Sequence, residues 1–229
     1  AVGTSVAGKN IPINIESRFH IGSTTKSMTA LLIQMLVCEG KLSYDTTLEE
    51  VLTCIPMLDD YRKVTIKQLL LNKAGIMAFQ RSDLEDEAAC KKLCNQIPRD
   101  CPHPTHQREE VARFVLGLNP IAKPGSKAIY SNVGWAIAGL ILESVSGKSY
   151  ETLLSERIFE PLGMKYVKMG GWPASETEPE QPSGHYPGAG TRKPPKPQNL
   201  GDEYVFPDWM NPSGGVSCSI VDYSLYVHE

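Results

Sequence analysis

The sequence has no apolar run long enough to cross a bilayer. No apolar stretch approaches the ~18 residues a span requires, Ala30 to Cys38 being helix-core length only, so no membrane span is expected in this chain. A surplus of positive charge is also lacking: 23 basic against 26 acidic residues leave a net charge of −3, and no basic run stands out. Nucleic acid is therefore excluded as an expected partner. There is no paired C-x-x-C, the spacing that makes a zinc site convincing. There is no G-x-S-x-G elbow either, and no His and Asp follow a serine in a hydrolase order, which disfavours a Ser-His-Asp hydrolase. No internal repeat is present. The chain opens at Ala1-Val2-Gly3-Thr4-Ser5 without Met or a signal-peptide pattern, which leaves a removed signal and a fragment both open.

What is present is enough apolar material for one good core, 41% of 229 residues. Six cysteines occur, at 38, 54, 90, 94, 101 and 218. Cys38 falls in an apolar helix and reads as a buried small hydrophobe. Cys90, Cys94 and Cys101 crowd into a polar segment with His103 and His106 just after. Disulfide, reduced structural thiols and a metal clip all remain open there, in that order of preference. A disulfide would imply an oxidising compartment.

The stretch Phe19-His20-Ile21-Gly22-Ser23-Thr24-Thr25-Lys26-Ser27-Met28 predicts a strand end, a glycine turn and a helix from about Ser23 to Cys38. Met28, Leu31, Leu32, Met35 and Leu36 recur at helical spacing, and Gly40 supplies the stop. Ser23 and Lys26 share one face of the first turn. A hydroxyl at a helix N-terminus sits where developing negative charge is favoured. A lysine one turn on can take its proton if its pKa is lowered. By itself S-x-x-K arises by chance about once in a chain of this length, and a Ser N-cap followed by a solvated Lys would explain it.

Elsewhere the pattern predicts turn and strand over residues 1–22, including alternation at Ile11 to Ile15. A mainly helical region over 23–172 follows. It holds a short helix capped by Thr47 and Glu50, a second capped by Thr65 and ended at Gly75, and one over Gln107 to Leu118. Two more run from Val133 to Val145 and from Tyr150 to Ile158. The polar, cysteine-bearing segment 77–109 reads as an irregular excursion with one helix, Asp83 to Leu93. Residues 173–212 hold nine of the seventeen prolines and read as a loop of little regular structure. The remainder, 213–229, is a Gly-Gly segment and a helix from Ile220 to His228.

Order lifts Ser23 and Lys26 above chance. The Phe19 to Ala30 stretch resembles the nucleophile helix of the β-lactamase-related serine hydrolases, a superfamily of class C β-lactamases, D-alanyl-D-alanine carboxypeptidases, esterases and peptidases. Glu39-Gly40-Lys41-Leu42-Ser43-Tyr44-Asp45 is similar to its connector, and Thr65 to Ile76 to its following helix and turn. Tyr130-Ser131-Asn132 resembles its Y-x-N segment. Pro212-Ser213-Gly214-Gly215-Val216, with Ser219 and Asp222, resembles its later glycine-rich stretch. The resemblance implies a single α+β, β-lactamase/transpeptidase-like domain over 1–229, its helical region packed on an antiparallel sheet.

It further implies that Ser23 is acylated, that Lys26 accepts or relays its proton, that Tyr130 is the phenol or phenolate that shuttles protons, and that Asn132 binds substrate and orients Lys26. Read without Ser23, Tyr130 would be a core phenol in an ordinary turn. The expected chemistry is hydrolysis of an amide or ester through an acyl-enzyme (peptidase, esterase or β-lactam hydrolase), on a small molecule or peptide, with no metal or other cofactor. A secreted or periplasmic location is expected; the oligomeric state is open. His185 reads as a loop histidine outside the site. The family's third motif, K-T-G or H-x-G on a later strand, finds no counterpart. That implies missing C-terminal sheet strands, weak or absent activity and an exposed sheet edge. The cysteine segment reads as an insertion over or beside the cleft. The rival readings are a silent homologue using the cleft as a binding surface and, more remotely, a metal hydrolase built on Cys101, His103 and His106.

Overall fold

The computed structural model describes residues 2–5, 10–79, 97, 103–171, 180–182, 185–186, 196–197 and 206–228. The expected helix Asp83 to Leu93, the three crowded cysteines and the inferred insertion lie outside the described residues.

Strand β1 (Phe19–His20) runs into a tight 3-10 turn (Gly22–Thr24) and then α1 (Thr25–Cys38). Gly22 makes that turn possible, since its φ of +53° lies where other residues are strained. Met28, Leu32, Ile33 and Leu36 point into the core. Gly40, at φ +69°, stops the helix. Cys38 is exposed rather than buried and takes a hydrogen bond from Gln34 Nε2 at 3.0 Å. It stands about 200° round the helix from Leu36, off the buried stripe. The expected strand over Ile11 to Ile15 does not form. Thr4 bridges Pro12, with the Ser5 N–H donating to the Ile11 carbonyl at 2.8 Å and the Ile13 N–H to the Gly3 carbonyl at 3.1 Å, and Asn14 then turns the chain by accepting from the Glu16 N–H.

The short helices α2 (Leu48–Val51), α3 (Asp59–Arg62) and α4 (Ile66–Leu70) follow. Thr47 with Glu50, and Thr65 with Gln68, form capping boxes. The chain leaves α4 at Asn72, φ +56°, within the expected stop Asn72 to Gly75, and Gly75 is left-handed as expected at φ +74°. Asn tolerates the left-handed region. Gly75 serves a second need as well, since a Cβ there would lie 2.3 Å from the Ala122 carbonyl oxygen.

Helix α5 (Pro104–Leu116) begins three residues earlier than the periodicity suggests. His103 Nδ1 caps it by accepting from the Thr105 N–H, and Pro104 occupies the first turn, where its missing N–H costs nothing. Helix α6 (Asn132–Ser146) is the central element, buried continuously from Val133 to Glu143. Ser131 Oγ caps its start and Gly147, φ +71°, its end. Helix α7 (Tyr150–Leu154) passes into a π-helical turn (Ser155–Phe159).

Strand β2 (Val167–Met169) was not apparent in the sequence. The Pro-rich region supplies a two-residue ladder between β3 (His185–Tyr186) and β4 (Lys196–Pro197). A 3-10 turn (Asp208–Met210) leads into α8 (Asn211–Gly214), β5 (Val216–Cys218) and α9 (Ile220–His228). The antiparallel sheet has the order β1-β5-β2, with Phe19 opposite Cys218 and Met169 opposite Val216. Val216 and Cys218 join the same core as Met28, Leu32 and Ile33, so α1 rests against the sheet. Asp222 on α9 accepts from the Lys165 and Tyr166 N–H groups and from Ser219 Oγ, which anchors the approach to β2. No helix among the described residues is long and apolar enough to cross a membrane.

Candidate active site

Ser23, Lys26, Tyr130 and Asn132 meet at one point, although two lie at the start of α1 and two at the start of α6. Ser23 sits in the 3-10 turn and Lys26 one turn on, so the helix itself brings them to 3.1 Å, Lys26 Nζ to Ser23 Oγ. The Tyr130 hydroxyl makes a short hydrogen bond with Ser23 Oγ. Lys26 Nζ lies 4.7 Å from the centroid of the Tyr130 ring. It donates to Asn132 Oδ1 at 2.9 Å and to the Ser213 carbonyl at 2.5 Å. Lys26 is buried while Tyr130 is partly exposed, so the amine is dry and the phenol faces solvent. Loss of hydration lowers the Lys26 pKa to about 8.

The Ser213 carbonyl carries no side-chain signal and was not foreseen. Its placement depends on α8 and the start of β5, which three α1 groups grip. Besides Lys26, Thr29 Oγ1 donates to the Pro212 carbonyl at 2.7 Å, and Thr25 Oγ1 accepts from the Val216 N–H at 3.2 Å. Tyr150 shares the Thr29 hydroxyl at 2.8 Å. Gly139 lets α6 touch α8, since a Cβ there would lie 2.3 Å from Pro212 Cγ. Gly215 needs its lack of a side chain for a like reason, 2.7 Å from Asn211 Cα.

His20 is a second group the sequence did not single out, three residues before Ser23. Its Nε2 bonds the Gly214 carbonyl and its ring meets Phe206 edge-on at 5.2 Å. Burial lowers its pKa, and a carbonyl partner assigns the proton to Nε2. Behind the site the Arg108 guanidinium is fully buried. It pairs with Glu143 and Glu151 and donates to the Asp208 carbonyl at 3.1 Å.

The residues of the metal alternative are otherwise occupied where they are described. His103 caps α5, His106 lies 3.6 Å from Glu109, and Cys101 is outside the described residues. Among the described residues no group of three His, Cys, Asp or Glu could hold a metal. The side chain of His185 is likewise outside the description.

A Ser-x-x-Lys turn between sheet and helix, meeting a Tyr-x-Asn segment at the start of a second helix, marks a β-lactamase/transpeptidase-like fold. The chain belongs to the beta-lactamase family, whose model matches residues 1–228. It is 29% identical over 170 residues to penicillin-binding protein 4 of Amycolatopsis lactamdurans, covering 72% of this chain and 39% of that one. Among solved structures, the penicillin-binding protein of Bacillus halodurans superposes with a TM-score of 0.73 at 25% identity, over 100% of this chain and 64% of that one. An octameric penicillin-binding protein homologue from Pyrococcus abyssi gives 0.70 at 29% identity, over 98% and 47%. The chain thus spans less than two thirds of each of these relatives.

Proposed function

We propose that the chain is a serine hydrolase that forms an acyl-enzyme on Ser23, with Lys26 and Tyr130 as general base and proton relay. The observation that carries this is the set of partners around Lys26 Nζ. Two of them, Asn132 Oδ1 and the Ser213 carbonyl, can only accept. A neutral amine has two N–H bonds and one lone pair. The two acceptors consume the N–H bonds, so the lone pair faces Ser23 Oγ. With a pKa of about 8, a useful fraction of Lys26 is a free base near neutral pH.

Ser23 Oγ then attacks the acyl carbon as its proton passes to Lys26. The tetrahedral oxyanion forms beside the N-terminus of α1, where the helix dipole favours it. Tyr130, bonded to Ser23 Oγ and open to solvent, is placed to hand a proton to the departing amine or alcohol. It then takes one from the water that attacks the acyl carbon, and as the acid departs Lys26 returns its proton to Ser23 Oγ. Asn132 holds Lys26 through Oδ1; one Nδ2 N–H donates to the Phe79 carbonyl at 3.1 Å and the other is left for the substrate side. The substrate is an amide or ester of a small molecule or peptide. The penicillin-binding names of the relatives suggest acylation by a penicillin, and a secreted or periplasmic setting fits that class.

Intact-mass labelling with a fluorophosphonate and, separately, a penicillin tests the reading on the chain and on Ser23→Ala. One adduct per chain, lost in Ser23→Ala, is the expected result. No adduct on a folded chain would refute it and favour the silent, ligand-binding alternative.

A further inference from the structure

We propose that Phe79 is the positioning residue that orients the Asn132 amide, and through it the Lys26 amine, toward Ser23. This rests on the acyl-enzyme reading above. Phe79 is a non-glycine residue at φ +48°, a conformation that costs about 1–3 kcal/mol and persists only where surroundings hold it. Its effect is visible in the two carbonyls that flank it. In an extended strand successive carbonyls point to opposite sides. Here the Ala78 carbonyl accepts from the Asn132 main-chain N–H at 3.0 Å, and the Phe79 carbonyl accepts from Asn132 Nδ2 at 3.1 Å. The positive φ at Phe79 takes the backbone out of that alternation, and both flanking carbonyls meet Asn132.

With Nδ2 occupied by Phe79, Oδ1 must face Lys26. The reversed amide would present an N–H to the lysine lone pair and draw it away from Ser23. The ring supplies the hold. It packs edge-on against Trp209 at 5.1 Å and 68°. Trp209 is buried in the 3-10 turn that runs into α8, the helix that brings the Ser213 carbonyl to Lys26. One residue thus touches the supports of both acceptors on the base.

The test is timed fluorophosphonate acylation across the Lys26 titration for the wild type, Phe79→Leu and Phe79→Tyr, with thermal unfolding measured alongside. Among the groups that face Lys26, the Tyr130 phenol titrates; the Ser23 hydroxyl, the Asn132 amide and the Ser213 carbonyl do not. Phe79→Leu removes the edge contact while keeping the strained Cβ. It should lower the plateau acylation rate about tenfold or more and move the acid-limb midpoint down, because the ammonium loses an acceptor. Phe79→Tyr should restore both. If Phe79→Leu does not fold, Phe79→Asn, whose backbone accepts the left-handed region without the ring, is judged by the same two readings. A variant that unfolds at lower temperature yet acylates with the wild-type plateau and midpoint would overturn the proposal and leave the Ser23 reading standing. An unlabelled wild type would overturn both.

Discussion

The pH dependence of acylation is the most direct consequence of the buried lysine. An unperturbed lysine has a pKa of about 10.4, whereas Lys26 is lowered to about 8 by lost hydration. At pH 7 the free amine is then about a tenth of the total, against a few ten-thousandths for an exposed lysine, a gain of about 250-fold. The fluorophosphonate labelling rate should rise about tenfold per pH unit below the midpoint and level off above about pH 8. The stability linkage has the same origin. Below about pH 8 the ammonium is kept in both folded and unfolded chains, and its desolvation weighs fully against folding. Between about pH 8 and about 10.4 the folded chain loses its proton first, so the unfolded chain binds more protons and stability rises with pH. Lys26→Met should abolish both the acylation limb and the rise. A labelling rate that is flat, or that climbs only toward about pH 10.4, would refute the assignment of Lys26 as the base.

Two further perturbations probe the frame. Arg108→Met strands the Glu143 carboxylate, 3% exposed, and should cost about 3–5 kcal/mol, read as a Tm lowered by about 2–4 °C per kcal/mol. Adding Glu143→Gln should recover part of it, and a single-variant loss below about 1 kcal/mol would show that the buried cluster carries little. Gly215→Ala drives a Cβ to 2.7 Å from Asn211 Cα, so about 1–3 kcal/mol of stability should be lost. Acylation should fall with it as the Ser213 carbonyl shifts; unchanged acylation would show that α8 does not set the base.

Much of this arrangement was legible in the sequence, and the reason differs from element to element. Ser23 and Lys26 are joined by helical spacing alone, and the Thr47 and Thr65 caps each declare a helix start by a side chain three residues from its partner. Tyr130 and Asn132 have no such local tie to Ser23. They were placed by a family resemblance rather than by spacing. The misses have physical causes. The strands β2 and β5 are three residues each, too short for alternation to show. The Asn14 turn cut short a strand that apolar alternation suggested. The α5 start was hidden because Pro104 and His103 read as loop, although a proline in a first turn and an imidazole cap are helix-start signals. The Ser213 carbonyl and the Phe79 turn could not be seen at all, because backbone orientation leaves no mark in residue identity.

On the proposed mechanism, the base at the centre of the site is held by opposed demands. Burial raises the cost of the ammonium, while Asn132 Oδ1 and the Ser213 carbonyl lower it by accepting its protons. A dry pocket without acceptors would give a lower pKa and a lone pair free to point anywhere. Acceptors in water would give an aligned but permanently charged lysine. Only the combination yields an amine that is both frequently neutral and aimed. The acceptors come from residues 132 and 213, more than a hundred residues from Lys26, while the proton donor Ser23 is three residues away. The sequence motif therefore supplies the reacting pair, and the tertiary fold supplies the direction of proton transfer. A short peptide carrying Ser23 to Cys38 would keep the first and lose the second.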